Sequence, residues 1–443
     1  GPAEMIGGQL VMVGTVPDGN GGTTPVVSVT INPTSGAYTV EVSKGIDHPD
    51  LSLEDDANDK DPLSLQFKYT ITDNDGDTDT ANLVVVIEDD EADAHDTYAS
   101  EDISEANLLD NDDTNDVVSG TLDIDHNADG IAVVDLWFEG WEDSEDGNPD
   151  GAILKSGGKD VDFGTVGTDI DGNLVLVGTI DGGATDVVTL KVDPETGEYT
   201  VTLHGPVDHP DQSTDGSNPT DPLTLDFGFK VRDGDGDEDE ETLSIYIEDS
   251  EPVIDSSLNA LVQLDDDALA GGHAGGTGDV DPDSENLTGT LNFAAGADGV
   301  ESVLLTGAAL PSGAGFSSAL SSDGTVLTVS QVINGVPTDV FRVNLTDKTS
   351  GGYTVTQLAA VAHTAGLDEN NTQFTINYEV VDGDGDSASG SISINVDDDS
   401  PLAVTDNGEV TEAGTLDVAA VDGVLFNDKQ GADGAVVSGV VAG

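Results

Sequence analysis

An acidic five-residue string occurs three times in this chain: Asp73-Asn74-Asp75-Gly76-Asp77, Asp233-Gly234-Asp235-Gly236-Asp237 and Asp382-Gly383-Asp384-Gly385-Asp386. It returns after 160 and then 149 residues with both flanks aligned without gaps, which marks a duplicated unit rather than a chance cluster. Before the string, Leu65, Phe67, Tyr69 and Ile71 match Leu225, Phe227, Phe229 and Val231, then Phe374, Ile376, Tyr378 and Val380. After it, Leu83, Val85 and Ile87 match Leu243, Ile245 and Ile247, then Ile392, Ile394 and Val396. Alternation at every second residue is the pattern of a half-buried strand. These positions are expected to face a core, with Ser393 and Asn395 facing solvent.

Each copy also carries a turn and strand upstream, Gly36-Ala37-Tyr38-Thr39-Val40, Gly197-Glu198-Tyr199-Thr200-Val201 and Gly351-Gly352-Tyr353-Thr354-Val355, which is hairpin chemistry. The second and third copies open with Gly120-Thr121-Leu122 and Gly289-Thr290-Leu291, and the first lacks this part. The expected division is therefore residues 1–92 as the C-terminal part of a repeat and 93–251 as a repeat with an insertion at about 141–170. Residues 252–401 follow as a further repeat, and 402–443 as the start of another. Many short strands, frequent glycine turns and no amphipathic helix predict an all-β chain of tandem antiparallel β-sandwiches in an extended array. A monomer is expected, with strand exchange between the incomplete ends as the alternative.

Acids outnumber bases by 90 to 11, a formal net charge of -79. Such a chain is repelled by nucleic acid and by anionic membrane surfaces, and the partners left to it are cations, above all metal ions. Apolar residues make up 36%, below the roughly 45–50% of ordinary globular domains, so each core is expected to need the added stabilisation that bound metal supplies. There are no cysteines to make disulfides. No run approaches the roughly 18 apolar residues of a membrane span, and no direct membrane insertion is expected. Gly1-Pro2 reads as the scar left when a protease releases a recombinant chain, so the start of the sequence carries no information on export.

Calcium takes about 6–8 oxygens, so a loop that binds it needs several carboxylates in sequence and a glycine where the backbone bends. Asp73, Asp75 and Asp77, with Asp233, Asp235 and Asp237 and with Asp382, Asp384 and Asp386, meet that need. The glycine falls at the fourth position rather than the sixth, which excludes an EF-hand. A second acidic run ends each copy: Glu88, Asp89 and Asp90, then Glu248 and Asp249, then Asp397, Asp398 and Asp399. About nine residues of strand, on the order of 30 Å, separate string from run, so the two are expected at opposite ends of one domain. On that geometry the second string faces Glu88 and Asp89 and the third faces Glu248 and Asp249, and calcium bridging the two sides would cancel like-charge repulsion and fix the interdomain angle.

At these residues the chain resembles the tandem extender repeats of type I secreted RTX-type bacterial adhesins. The likeness is strongest at Leu264-Asp265-Asp266-Asp267-Ala268-Leu269-Ala270-Gly271-Gly272, at Ser350-Gly351-Gly352-Tyr353-Thr354-Val355-Thr356-Gln357-Leu358 and at Val381 through Asp386. It covers 252–400 well, 118–251 moderately and 1–92 as a fragment. The resemblance implies Ig-like sandwiches with calcium in their linkers, on a bacterial cell surface and active in adhesion or biofilm formation. The glycine-aspartate nonapeptide array of RTX proteins is absent, with Gly275-Gly276-Thr277-Gly278-Asp279 a single imperfect match.

Both tryptophans, Trp137 and Trp141, fall beside the insertion of the second repeat. An acidic, aromatic loop there could receive a surface glycan or peptide, against the plainer reading that Trp137 fills the core and Trp141 covers an edge. His48 and His209 share Asp-His-Pro contexts and His363 takes the matching place in the third copy. They read as turn histidines rather than zinc ligands, because no second histidine lies at ligand spacing. Enzymatic activity is not expected: nothing distinguishes an acid from a base among the carboxylates, and no nucleophile motif stands out. Solubility at high salt would also explain the charge, but it predicts scattered acids rather than acids placed at loop tips and domain exits. Disorder is opposed by the matched strands. The expected function is a calcium-rigidified, non-enzymatic extender, with ligand binding by the second repeat as the alternative.

Overall fold

Alternating β-branched and aromatic residues favour extended backbone, and in the computed structural model of the chain the regular secondary structure is almost all strand. It describes residues 2–19, 21–48, 62–90, 92–109, 116–126, 130–143, 151, 153–209, 222–234, 236–275, 285–364 and 369–441. Among them there is no α-helix, only short 3-10 turns, and so no helix long and apolar enough to cross a membrane. They fall into two compact units, one running to Asp249 and one from Ser250 onward.

In the first unit, two sheets enclose a core. One runs in the order Val117–Thr121, Glu198–Leu203, Thr185–Val192, Leu174–Ile180 and Asp162–Phe163. The other runs Ile131–Asp143, Leu223–Asp233, Glu238–Glu248 and Thr97–Tyr98, the last of these parallel to its neighbour. Leu225, Phe227, Phe229 and Val231 are buried, as their alternation predicts, and with Leu243, Ile245 and Ile247 they meet Leu176, Leu190 and Val201 of the opposite sheet. Removing side chains of this size from water stabilises the fold by about 1.5–3 kcal/mol each.

The first copy departs from its expected pattern. Its hairpin, Leu63–Thr72 with Thr78–Ile87, forms a two-stranded sheet, and Tyr69 and Ile71 stand 42% and 63% exposed. The second copy flanks the same hairpin with Ile131–Asp143, whose Val133 and Leu136 enter the core, and among the described residues no equivalent strand flanks the first copy's hairpin. Glu4–Ile6, Gln9–Pro17, Thr23–Ile31 and Tyr38–Val42 make a separate four-stranded sheet.

The second unit is again a sandwich. Thr288–Thr290, Gly352–Gln357, Val336–Leu345, Val326–Ile333 and Phe316–Leu320 form one sheet, and Val262–Asp265, Ser387–Asp397, Thr372–Asp382 and Val300–Ala309 the other. Phe374 is wedged between Phe316 and Phe341, each ring centroid 5.0 Å away and edge-on. Asn395 is buried rather than solvent-facing, because Val262–Asp265 runs parallel beside it and the Gln263 side chain accepts its amide at 2.9 Å. The all-β, tandem-sandwich class expected from alternation is the fold observed, and neither sandwich closes into a barrel.

Candidate metal centres

The three acidic strings sit at the tips of matching hairpins. In each, the backbone N–H of the first aspartate donates to the carbonyl of the fifth residue: Asp73 to Asp77 at 3.0 Å, Asp233 to Asp237 at 3.1 Å and Asp382 to Asp386 at 3.0 Å. Closing so tight a loop requires a left-handed residue, and the fourth position supplies it, with φ of 97° at Gly76, 118° at Gly236 and 121° at Gly385.

The first carboxylate of each string caps its own turn. Asp73 Oδ1 accepts the amides of Asp75, Gly76 and Asp77 at 3.2, 2.9 and 2.8 Å. Asp233 Oδ1 accepts those of Gly236 and Asp237 at 3.0 Å, and Asp382 Oδ1 that of Gly385 at 3.2 Å. Asp235 lies outside the described residues.

Environment then separates the copies. Asp73, Asp75 and Asp77 are exposed, and each offers one oxygen within 4.8 Å of the others. The Asp75 side chain, and then the loop amides, hold Asp73 below the usual carboxylate range. Asp382 is fully buried, and burial together with the neighbouring Asp384 carboxyl pushes it up to about 8. In the third copy Asp382 therefore resists ionising unless a cation joins it.

At the exit runs the structure gathers residues that the sequence left apart. Asp89 lies 3.7 Å from His48 Nδ1, both side chains nearly fully buried. Asp249 converges with Glu105 and His209, and Asp398 with Asp266 and His363, each trio offering ligand atoms within 4.8 Å of one another. His209 Nε2 stands 3.4 Å from Glu105 Oε1, and His363 Nε2 stands 3.6 Å from Asp266 Oδ2.

Glu105 and Asp266 occupy equivalent places. Each follows the strand that pairs in parallel with the last strand of its sandwich, Ile103–Ser104 in one and Val262–Asp265 in the other. Each accepts the amide two residues before the histidine, Val207 N–H at 2.7 Å and Val361 N–H at 2.9 Å. His48, His209 and His363, expected as turn residues, have side chains buried against acids: His48 against Asp89 of an exit run, His209 against Glu105 and His363 against Asp266. Glu105 and Asp266 escaped the sequence reading because their partners lie about a hundred residues away.

The other exit acids divide by exposure. Glu88 and Asp90 face solvent, Glu248 is half-buried, and Asp397 is buried beside Asp265. Asp399 Oδ2 accepts the Ala432 amide at 2.5 Å, and burial followed by the Asp267 carboxyl pushes Asp399 up to about 7. Asp267 and Asp399 thus make a pair with only oxygen to offer.

Both tryptophans make contacts within their own repeat. Trp137 lies across from Gly228, where a Cβ would stand 2.1 Å from its ring, so Phe138 rather than Trp137 reaches the core, stacked on Phe163 at 4.2 Å. Irregularities in the register of Ile131–Asp143 change which residues face inward, and strict alternation misassigns them. Trp141 donates from Nε1 to the Ile153 carbonyl at 3.1 Å and covers the core edge. Neither lines the groove of about 440 Å³ formed by Gly164, Thr165, Gly167, Thr168, Asp169 and the strand Leu174–Ile180.

Three segments, 6–86, 90–246 and 261–395, match one family model, described as Domain of unknown function (DUF5801). The chain belongs to that family, as three successive copies of its domain. None of the curated proteins matches. Among solved structures the chain is similar to protocadherin gamma B2 extracellular cadherin domains 1–5 at 14% identity and a TM-score of 0.22, over 92% of this chain and 57% of that one. It is also similar to mouse protocadherin-24 EC1-3 at 11% identity and a TM-score of 0.22, over 75% of this chain and 79% of that one. For human CDH23 EC21-23 the figures are 12%, 0.22, 62% and 66%.

Proposed function

We propose that this chain is a non-enzymatic extender segment of a bacterial cell-surface adhesin of the RTX type, stiffened by extracellular calcium. The observation that carries the reading is a loop tip closed the same way three times, whose third copy pairs buried Asp382 with Asp384. Asp382 and Asp384 crowd together in the third copy, so the fold holds a repulsion that a divalent cation relieves. Asp267 and Asp399 repeat the arrangement with oxygen alone, the donor calcium prefers. In this reading calcium sets the spacing of successive repeats and holds a distal ligand-binding region away from the cell. Small-angle scattering and thermal melting with calcium or chelator test it. Expected are a longer particle and a higher melting temperature with calcium, both reduced in an Asp382→Asn, Asp384→Asn variant. Identical scattering curves with calcium and with chelator would sink the proposal.

A second reading rests on the groove in the second repeat, whose Thr165, Thr168 and Asp169 offer polar groups beside Val175 and Val177. It assigns that repeat to binding a carbohydrate or peptide. Glycan and peptide arrays with and without calcium test it, and silence on both excludes it.

A further inference from the structure

We infer that Asp266, His363 and Asp398 form a mixed nitrogen–oxygen site for a divalent transition-metal ion of zinc-like chemistry, separate from the oxygen-only carboxylates assigned to calcium. The His363 side chain is 2% exposed, and its Nδ1 lies 3.0 Å from Thr372 Oγ1. Its Nε2 is buried, has no hydrogen-bond partner, and faces Asp266 Oδ2 at 3.6 Å. If Nε2 carries a proton, a buried donor stops short of its acceptor; if it carries the lone pair, that pair confronts a carboxylate. With Asp266 ionised, either arrangement costs free energy in a buried site, and a cation between the two atoms removes the cost.

The geometry suits that ion. A tetrahedral zinc with bonds of about 2.0–2.1 Å holds its ligand atoms roughly 3.4 Å apart, close to the spacing observed. Asp266 is fixed before any ion arrives, since Val361 N–H donates to Oδ2 and the Gln357 side-chain amide to Oδ1. Contact of Nδ1 with Thr372 orients the ring in the same way. Asp398 is half-buried and gives the ion a path from solvent. Calcium takes oxygen donors, whereas imidazole suits zinc and its neighbours. The same residue types meet at the equivalent place in the other sandwich, as Glu105, His209 and Asp249. A plain histidine–carboxylate ion pair is the competing account, and it predicts no preference among metals.

The test is calorimetric titration of the calcium-saturated chain with zinc chloride. All samples carry His95→Gln, because exposed Asp93, His95 and Asp125 also cluster and would take up zinc at the surface. Expected is zinc binding that excess calcium does not displace, weakened at least about 10-fold at one site by His363→Gln and at both by His209→Gln with His363→Gln. Cobalt should give visible absorption bands that the substitutions remove. Asp398→Asn keeps the histidine and the Val361 anchor, so it repeats the measurement if His363→Gln fails to fold by circular dichroism. Zinc affinity unchanged in Asp398→Asn and His363→Gln, complete displacement by calcium, or no zinc binding at all would each overturn the assignment. Calcium-dependent melting recorded on the same samples keeps this outcome apart from that of the extender reading.

Discussion

Gly289 lies directly across its sheet from Tyr353, and only a residue without a side chain admits the ring: a Cβ on Gly289 would stand 2.3 Å from the tyrosine oxygen. Gly120 and Tyr199 repeat the pair in the other sandwich, where the distance would be 2.5 Å. Tyr353 and Tyr199 are both buried, so neither ring can swing out of the way at little cost.

Gly289→Ala should therefore destabilise the second unit by about 1–3 kcal/mol, the usual cost of overfilling a packed site. Denaturant unfolding measures it, and a midpoint equal to the native one refutes the packing argument.

Replacing Gly385 with alanine puts a side chain at φ 121°, a conformation that L-residues rarely adopt. The expected loss is on the order of 1 kcal/mol or more, with weaker calcium binding at that tip because the Asp382 cap depends on the Gly385 amide. Melting scans with and without calcium would show a smaller calcium-induced shift than in the native chain.

The raised Asp382 gives the calcium-free protein a pH dependence of definite sign. A carboxyl whose folded pKa, about 8, exceeds its unfolded value favours the fold while protonated. That contribution is complete below about pH 4 and is lost as pH climbs toward 8. In chelator the melting temperature of the second unit should fall across that window, and calcium or Asp382→Asn should flatten the slope. A slope unaffected by either would assign the effect to other groups.

Glu105→Ala removes the acceptor for the buried Val207 amide, a contact that ties residues far apart in sequence. The expected cost is about 1–3 kcal/mol, read from thermal unfolding of the first unit. Glu105→Gln keeps an acceptor and should cost less.

Local pattern made much of this fold readable. Period-two alternation located the paired strands around each string, and glycine at the fourth loop position announced a left-handed turn. What alternation could not show was the neighbour of each strand. Asn395 reads as a surface residue until Val262–Asp265 is laid beside it, and Ile71 reads as core although among the described residues its sheet is two strands wide. The loop carboxylates were legible because they are consecutive. The trios of Glu105, His209 and Asp249 and of Asp266, His363 and Asp398 were not, since each draws one residue from the beginning, middle and end of a repeat.

The parallel pairing of Val262–Asp265 with Ile394–Asp397 joins the entry and exit strands of one sandwich. Pulling the chain by its two ends slides these strands lengthwise, so their hydrogen bonds share the load instead of opening one after another. Resistance to lengthwise pulling is therefore an expected consequence of the strand order itself.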